Sequence, residues 1–190
     1  MNKDIVVPDW VFSENVLNKD YHERLLASLY EFTRTANIQP KYVWAKLVDY
    51  CVGEDFDWVK GIKHSDDSGM AYIGKSSTIP IEDKMAAIAG CLLRNYIDAR
   101  VMTLQSVVDH LADGTMPQPT VLLIPNFYLS ANNGGKVATW EVSSLLGLLY
   151  ERMAANLKTV VYISNHDEMT KDYGSSFSDH ILNHYSIVNL

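Results

Sequence analysis

GMAYIGKSSTIPIEDKMAAIAGCLL, residues 69–93, is the stretch on which the reading of this chain turns. Gly69 through Ser76 spell G-x-x-x-x-G-K-S, the pattern of a Walker A phosphate-binding loop. A working loop of that kind leaves a buried strand and opens a helix. Its glycines let successive backbone N–H groups face the phosphates, and its lysine reaches the outer oxygens. Here Met70, Ala71, Tyr72 and Ile73 lie between the glycines, and they suit a buried strand better than a loop. Residues 63–68 (KHSDDS) are polar and cannot supply that strand from upstream. With the strand at 70–73, the turn becomes 75–80 (KSSTIP), with no glycine after Gly74 and no lysine at the helix entrance. Pro80 suits a first helical turn, and Glu82 and Asp83 take acid-favoured N-terminal positions, where a phosphate would need positive potential. Two readings follow. The context favours a strand, turn and helix that keep the shape without the phosphates; the alternative is a nucleotide site using Gly74, Lys75, Ser76 and Ser77.

The rest of the composition is that of a globular chain. Its 190 residues are 47% apolar and 21% charged, enough for one domain with a substantial core. A net charge of −7 disfavours non-specific nucleic-acid binding, and no run of Lys and Arg offsets it. Cys51 and Cys91 both lie in apolar surroundings and are expected as buried free thiols. There is no basic-then-apolar leader and no apolar run of membrane-spanning length, so a cytoplasmic location is expected.

In chain order, residues 1–18 predict a short extended arm. Helical spacing of Leu25, Leu26, Leu29 and Phe32 predicts a helix over 20–35, and Pro40 opens a second carrying Val43, Trp44, Leu47, Val48 and Cys51. Residues 53–68 read as an acidic loop. From there strands and helices alternate: strand 70–73, helix 80–96, strand 99–103, helix 104–112, strand 120–124, helix 139–156, strand 159–164, a short helix near 176–184 and a strand 186–190. The apolar run Thr120-Val121-Leu122-Leu123-Ile124 is that of a strand covered on both faces. Such alternation predicts an α/β three-layer sandwich with a mostly parallel sheet. The expected division is a helical N-terminal segment, 1–60, suited to partner docking, and an α/β domain, 61–190, without a C-terminal lid.

From residue 69 onward this order resembles the AAA+ ATPases of the bacterial helicase-loader and IstB type. Leu149-Tyr150-Glu151-Arg152 and the run 158–165 (KTVVYISN) look like that family's helix and sensor strand, with Asn165 at the sensor position. Ser178-Asp179-His180-Ile181-Leu182-Asn183-His184 resembles the segment that carries its arginine finger, and 120–129 (TVLLIPNFYL) sits where it has the Walker B strand. The departures weigh more than the matches. Pro125-Asn126 stands where the family places paired acids, and His180 where it places the finger arginine. Neither Pro nor Asn brings charge to a metal, and a neutral imidazole makes no bidentate clamp. Phosphoryl transfer is nearly all positioning and electrostatics, and a finger alone supplies about 10³–10⁵ in rate. No catalytic residues are expected.

The resemblance therefore implies a non-catalytic DNA-replication adaptor, in phage or mobile-element replication, that binds a replicative helicase or another AAA+ ATPase and meets single-stranded DNA only indirectly. Trp10, Trp44 and His180 are its candidate partner-binding residues. One alternative is an ATP-binding loader using Gly74, Lys75, Ser76, Ser77 and Asn165 with Mg²⁺ on unorthodox ligands; another is a self-assembling structural protein on the same scaffold. His180 and His184, four apart, share a helical face, but no Cys or acid is spaced to join them, so no metal is expected. Both are expected near the surface. Residues 164–167 (SNHD) read as a strand end and polar turn, and 130–136 as a flexible loop.

Overall fold

The computed structural model describes residues 5–75, 78–130 and 137–190. Short helices come first: α1 (Asp9–Ser13), α2 (Glu23–Ala27), α3 (Leu29–Ala36) and α4 (Glu54–Gly61). The alternating part follows as β1 (Gly69–Ile73), α5 (Ile81–Arg94), β2 (Ala99–Val101), α6 (Leu104–Ala112), β3 (Val121–Tyr128), α7 (Thr139–Ala154), β4 (Lys158–Ile163), α8 (His166–Tyr173), α9 (Ser175–His184) and β5 (Tyr185–Asn189). The five strands form one sheet in the order β2-β3-β4-β1-β5, and every pairing is parallel. This is the α/β three-layer sandwich that the alternation predicts.

Period-two alternation sorts the strand side chains between two cores. Met70, Tyr72, Val121, Leu123, Val160 and Tyr162 face α4 and α5, where they meet Trp58, Met85, Ile88 and Leu92. Ala71, Leu122, Ile124, Val161 and Ile163 face the other way, against Val107, Leu145, Leu149, Met169 and Phe177 of α6 to α9. At the amino ends of the strands the fully buried Arg152 donates to Thr159 Oγ1, Gln118 Oε1 and the carbonyls of Pro119 and Lys158. Burial lowers its pKa to about 10, and the four acceptors satisfy the guanidinium without a carboxylate.

Several boundaries differ from expectation, for identifiable reasons. The helix expected from Pro40 is instead two 3₁₀ turns, Pro40–Trp44 and Leu47–Asp49, separated by extended backbone at Ala45 and Lys46. Arg94 Nη1 donates to the carbonyls of Val43 (3.0 Å) and Ala45 (2.7 Å), acceptors that a continuous helix would use internally. The helix expected over 20–35 is broken at Ser28 into α2 and α3. The supposed acidic loop contains α4, whose acids Glu54, Asp55 and Asp57 lie in its first turn, favourable to the helix dipole. β3 runs past Ile124 to Tyr128 through a register irregularity that accommodates Pro125, which has no N–H to offer a ladder. His166 and Asp167, read as part of a polar turn, instead open α8 (His166–Tyr173), a helix the sequence reading did not place. Cys51 is a buried free thiol, whereas Cys91 is only partly buried.

Candidate nucleotide site at the carboxyl ends of the strands

β1 sends its chain to α5 on one face of the sheet, and its neighbour β4 sends its chain to α8 and α9 on the other. The carboxyl ends of two such strands border the crevice where ligands of open parallel sheets collect. The sequence places Gly74, Lys75 and Asn165 there, and the structure brings them to this edge; Ser76 and Ser77 lie outside the described residues. Gly74 has φ +117°, a value that favours glycine, and a Cβ on it would stand 3.0 Å from the Leu190 carbonyl oxygen. Its N–H is already committed, donating to the Ile163 carbonyl at 3.0 Å. Lys75 follows at the surface.

Across the turn, α5 begins at Ile81 after Pro80, which is in extended backbone and makes no side-chain cap. The first turn carries Glu82 and Asp83. Asp83 Oδ1 accepts the Tyr42 hydroxyl at 2.5 Å, and burial, reinforced by this carboxylate, raises the Tyr42 pKa. The next residue, Lys84, is drawn inward: its Nζ lies 2.8 Å from Asp55 Oδ2 on α4, which also accepts the Tyr72 hydroxyl at 3.1 Å. Asp55 is 1% exposed and Lys84 9%. Burial above all, then Asp55, pushes the neighbouring Cys51 thiol up to about 12, so it stays protonated and inert.

On the far side of the crevice Asn165 caps α8, its Oδ1 accepting the Glu168 N–H at 3.1 Å. Asn126 turns toward the helix after β2, where its Oδ1 accepts the Leu104 N–H at 2.8 Å. The Tyr128 hydroxyl donates to Asp172 Oδ2 on α8 at 2.7 Å. Ser164 Oγ accepts the Ser130 N–H at 2.8 Å, tying the end of β3 to the end of β4.

No family model matches the sequence, and no curated protein does. Solved structures do match in shape. A DNA replication initiation factor aligns with 80% of this chain and 50% of its own, at a TM-score of 0.58 and 13% identity. DnaA from Aquifex aeolicus, solved with AMPPCP bound, covers 80% of this chain and 51% of its own at a TM-score of 0.59 and 13% identity. A putative primosome component from Streptococcus pyogenes serotype M3 covers 82% and 90%, at a TM-score of 0.55 and 11% identity. The chain thus spans about half the length of the first two. What these structures share with the chain is the fold, a three-layer α/β sandwich.

The helicase-loader resemblance implies ATP and Mg²⁺ at this crevice, and the described residues there do not fit a triphosphate. The N–H of Gly74 is taken, Pro80 brings none, and the start of α5 is acidic instead of cationic. Lys84, the nearest cation on that helix, is held in the core by Asp55. No Asp or Glu follows β1 before the helix or stands in β3, and among the described residues no three of His, Cys, Asp and Glu gather as a metal-holding group.

The partner-binding candidates separate by burial. Trp10 is 40% exposed, beside a surface cavity of about 440 Å³ also lined by Glu14, Lys41, Lys46 and Tyr50. Trp44 is 9% exposed and forms part of the core beneath α1 and α3. His180 is 2% exposed, not at the surface as its helix-end position suggests, because the rings of Tyr150, His184 and Tyr185 surround it. Sequence reading missed the Asp55–Lys84–Tyr72 cluster altogether. Lys84 and Tyr72 lie 29 and 17 residues from Asp55, and nothing in the sequence separates Asp55 from its acidic neighbours Glu54 and Asp57.

Proposed function

We propose that this chain is a non-catalytic DNA-replication adaptor, an AAA+ domain that binds a replicative helicase or a related ATPase in the cytoplasm. The observation that carries the non-catalytic part is the start of α5: proline, then two acids, with the helix's own lysine turned into the core. The replication part rests on shape, since replication initiators and a primosome component share it. Docking is assigned to Trp10 and its cavity, because a half-exposed tryptophan beside apolar and charged neighbours is the usual anchor of an interface.

Calorimetric titration of the full chain with ATP and Mg²⁺ tests the first part. No heat of binding is expected below about 1 mM nucleotide, a range in which weak sites are still detected. A micromolar dissociation constant that Lys75→Ala abolishes would instead establish the ATP-binding loader, with Lys75, exposed after β1, as its cation. For the partner, binding of a purified bacterial replicative helicase is expected, and Trp10→Ala weakens it at least about tenfold. Absence of binding to that helicase rejects the adaptor reading.

A further inference from the structure

The two outer strands of the sheet are finished differently. On β2 the Asp98 carbonyl accepts the Val121 N–H and the Met102 N–H reaches the Leu123 carbonyl, so Val101 between them turns its backbone outward. There α3 packs on β2, and Asn37 Nδ2 donates to the Val101 carbonyl at 3.1 Å, which closes that edge. On β5 the His184 carbonyl and the Leu190 N–H point to β1, so by alternation Tyr185, Ile187 and Asn189 turn outward. The Tyr185 N–H is taken by the Ile181 carbonyl at the end of α9. The Tyr185 carbonyl, and both backbone groups of Ile187 and Asn189, have no partner among the described residues. Natural sheets blunt such an edge with a lysine, a proline or a bulge. β5 (YSIVN) has none of these, and its register with β1 is unbroken.

The helix that packs on β5 indicates what this edge accepts. The amino end of α4 lies at the carboxyl end of the strands, where Asp55 meets Tyr72, the residue level with Val188. Its other end lies at the amino end of the strands, where Ile62 and Lys63 share a cavity with Lys158, the first residue of β4. α4 is therefore antiparallel to β5, with exposed Glu54 and Asp57 towards one end of the edge and exposed Lys60 and Lys63 towards the other. We propose that β5 is the interface of a two-fold dimer, in which β5 of a second copy pairs with it antiparallel to make one continuous sheet. With the axis at Ile187, that residue exchanges both its hydrogen bonds with its counterpart. On each side of the axis Asn189 donates to the Tyr185 carbonyl of the other copy. Ile187 and Val188 are only partly buried in the two cores, and their cross-strand neighbours, Ile187 and Ser186 of the second copy, cover more of them. The charges select this occupant. An antiparallel copy sets Glu54 and Asp57 of one α4 towards Lys60 and Lys63 of the other, twice over, whereas a segment of a single charge sign meets like charge at one end. The dimer uses neither Trp10 nor the residues of the crevice, so it stands apart from the adaptor reading.

Sedimentation equilibrium of the full chain tests this. The mass is expected to rise from 21.4 kDa to twice that value, with a dissociation constant of about 1–100 μM. Hydrogen exchange at the Ile187 and Asn189 amides should be fast in dilute protein and slow in concentrated protein. Asn189→Pro removes an outward donor and no bond of the β1–β5 ladder, and it should weaken the dimer at least about tenfold. Lys60→Glu with Lys63→Glu, both at exposed positions, leaves acids along the whole of α4 and should weaken it by a similar factor. The melting transition of each variant checks that it folds. Three results overturn the interface: a monomer at several times the largest expected constant, undiminished dimerisation of folded Asn189→Pro, or protection of the Ile187 and Asn189 amides that does not vary with concentration. The last would assign the edge to a segment of the same chain.

Discussion

A Cβ at Gly90 would lie 2.0 Å from the Tyr42 carbonyl oxygen, 2.4 Å from its carbon and 2.9 Å from the Val43 nitrogen, all backbone atoms of the first 3₁₀ turn. Alanine is the better helix former by about 1 kcal/mol, but the clash is with atoms that move only if the turn moves. Gly90→Ala should therefore destabilise the protein by a net of about 1–3 kcal/mol, read as a lower denaturant midpoint. The Asp55–Lys84 pair obeys a different rule. Lys84→Met leaves a carboxylate buried with the Tyr72 hydroxyl and the Phe56 N–H but no cation, at a cost of about 3–5 kcal/mol, whereas adding Asp55→Leu should recover most of that loss. His180 adds a pH dependence. Its folded pKa of about 4 lies below the 6.5 of the free side chain, so the unfolded chain binds a proton first as pH falls. Its contribution is intact above about pH 6.5 and is lost as pH drops toward 4, by up to roughly 3 kcal/mol. His180→Phe should flatten that part of the stability profile; an unchanged slope would show that His180 does not set it.

At the scale of elements, α8 depends on its cap. Asn165 satisfies the Glu168 N–H, so Asn165→Ala should cost about 1 kcal/mol and leave the secondary-structure content intact by circular dichroism. That helix shows what the sequence could and could not disclose. β1, α5, α6 and β4 were legible because each has its apolar period inside one short window. α8 was not: only Met169 in it is fully buried, so its helical period is nearly all polar. The segment at 40–49 misled in the opposite way. Val43, Trp44 and Leu47 keep helical spacing, yet Arg94, 51 and 49 residues further on, claims the Val43 and Ala45 carbonyls and stops the helix. The crevice was half legible. The absence of cationic and acidic machinery could be read directly, but the destinations of Lys84 and Asn126 depend on partners far along the chain.

At the scale of the molecule, the N-terminal helices do not have a core to themselves. Val11, Leu17, Leu25, Leu29 and Trp44 close over Leu93 of α5, and Leu47, Cys51 and Trp58 belong to the same apolar cluster as Met70 and Met85. The His22 ring reaches the Arg94 carbonyl at 3.0 Å, and Gly90 takes the backbone of the 3₁₀ turn at close range. α5 is thus packed on both sides, by the sheet and by the N-terminal layer, and neither layer can open without exposing the other's apolar surface. Calorimetry should show a single transition with matching calorimetric and van't Hoff enthalpies. A chain limited to residues 61–190 would leave Ala86, Ala87 and Leu93 uncovered, and it should bind a hydrophobic dye and aggregate. Two separate transitions, or a stable monomeric 61–190, would mean instead that the N-terminal layer is a detachable docking module. Docking through Trp10 would then be free of any effect on the sheet; with one cooperative unit, a partner seated there also stabilises α5 and the crevice beyond it.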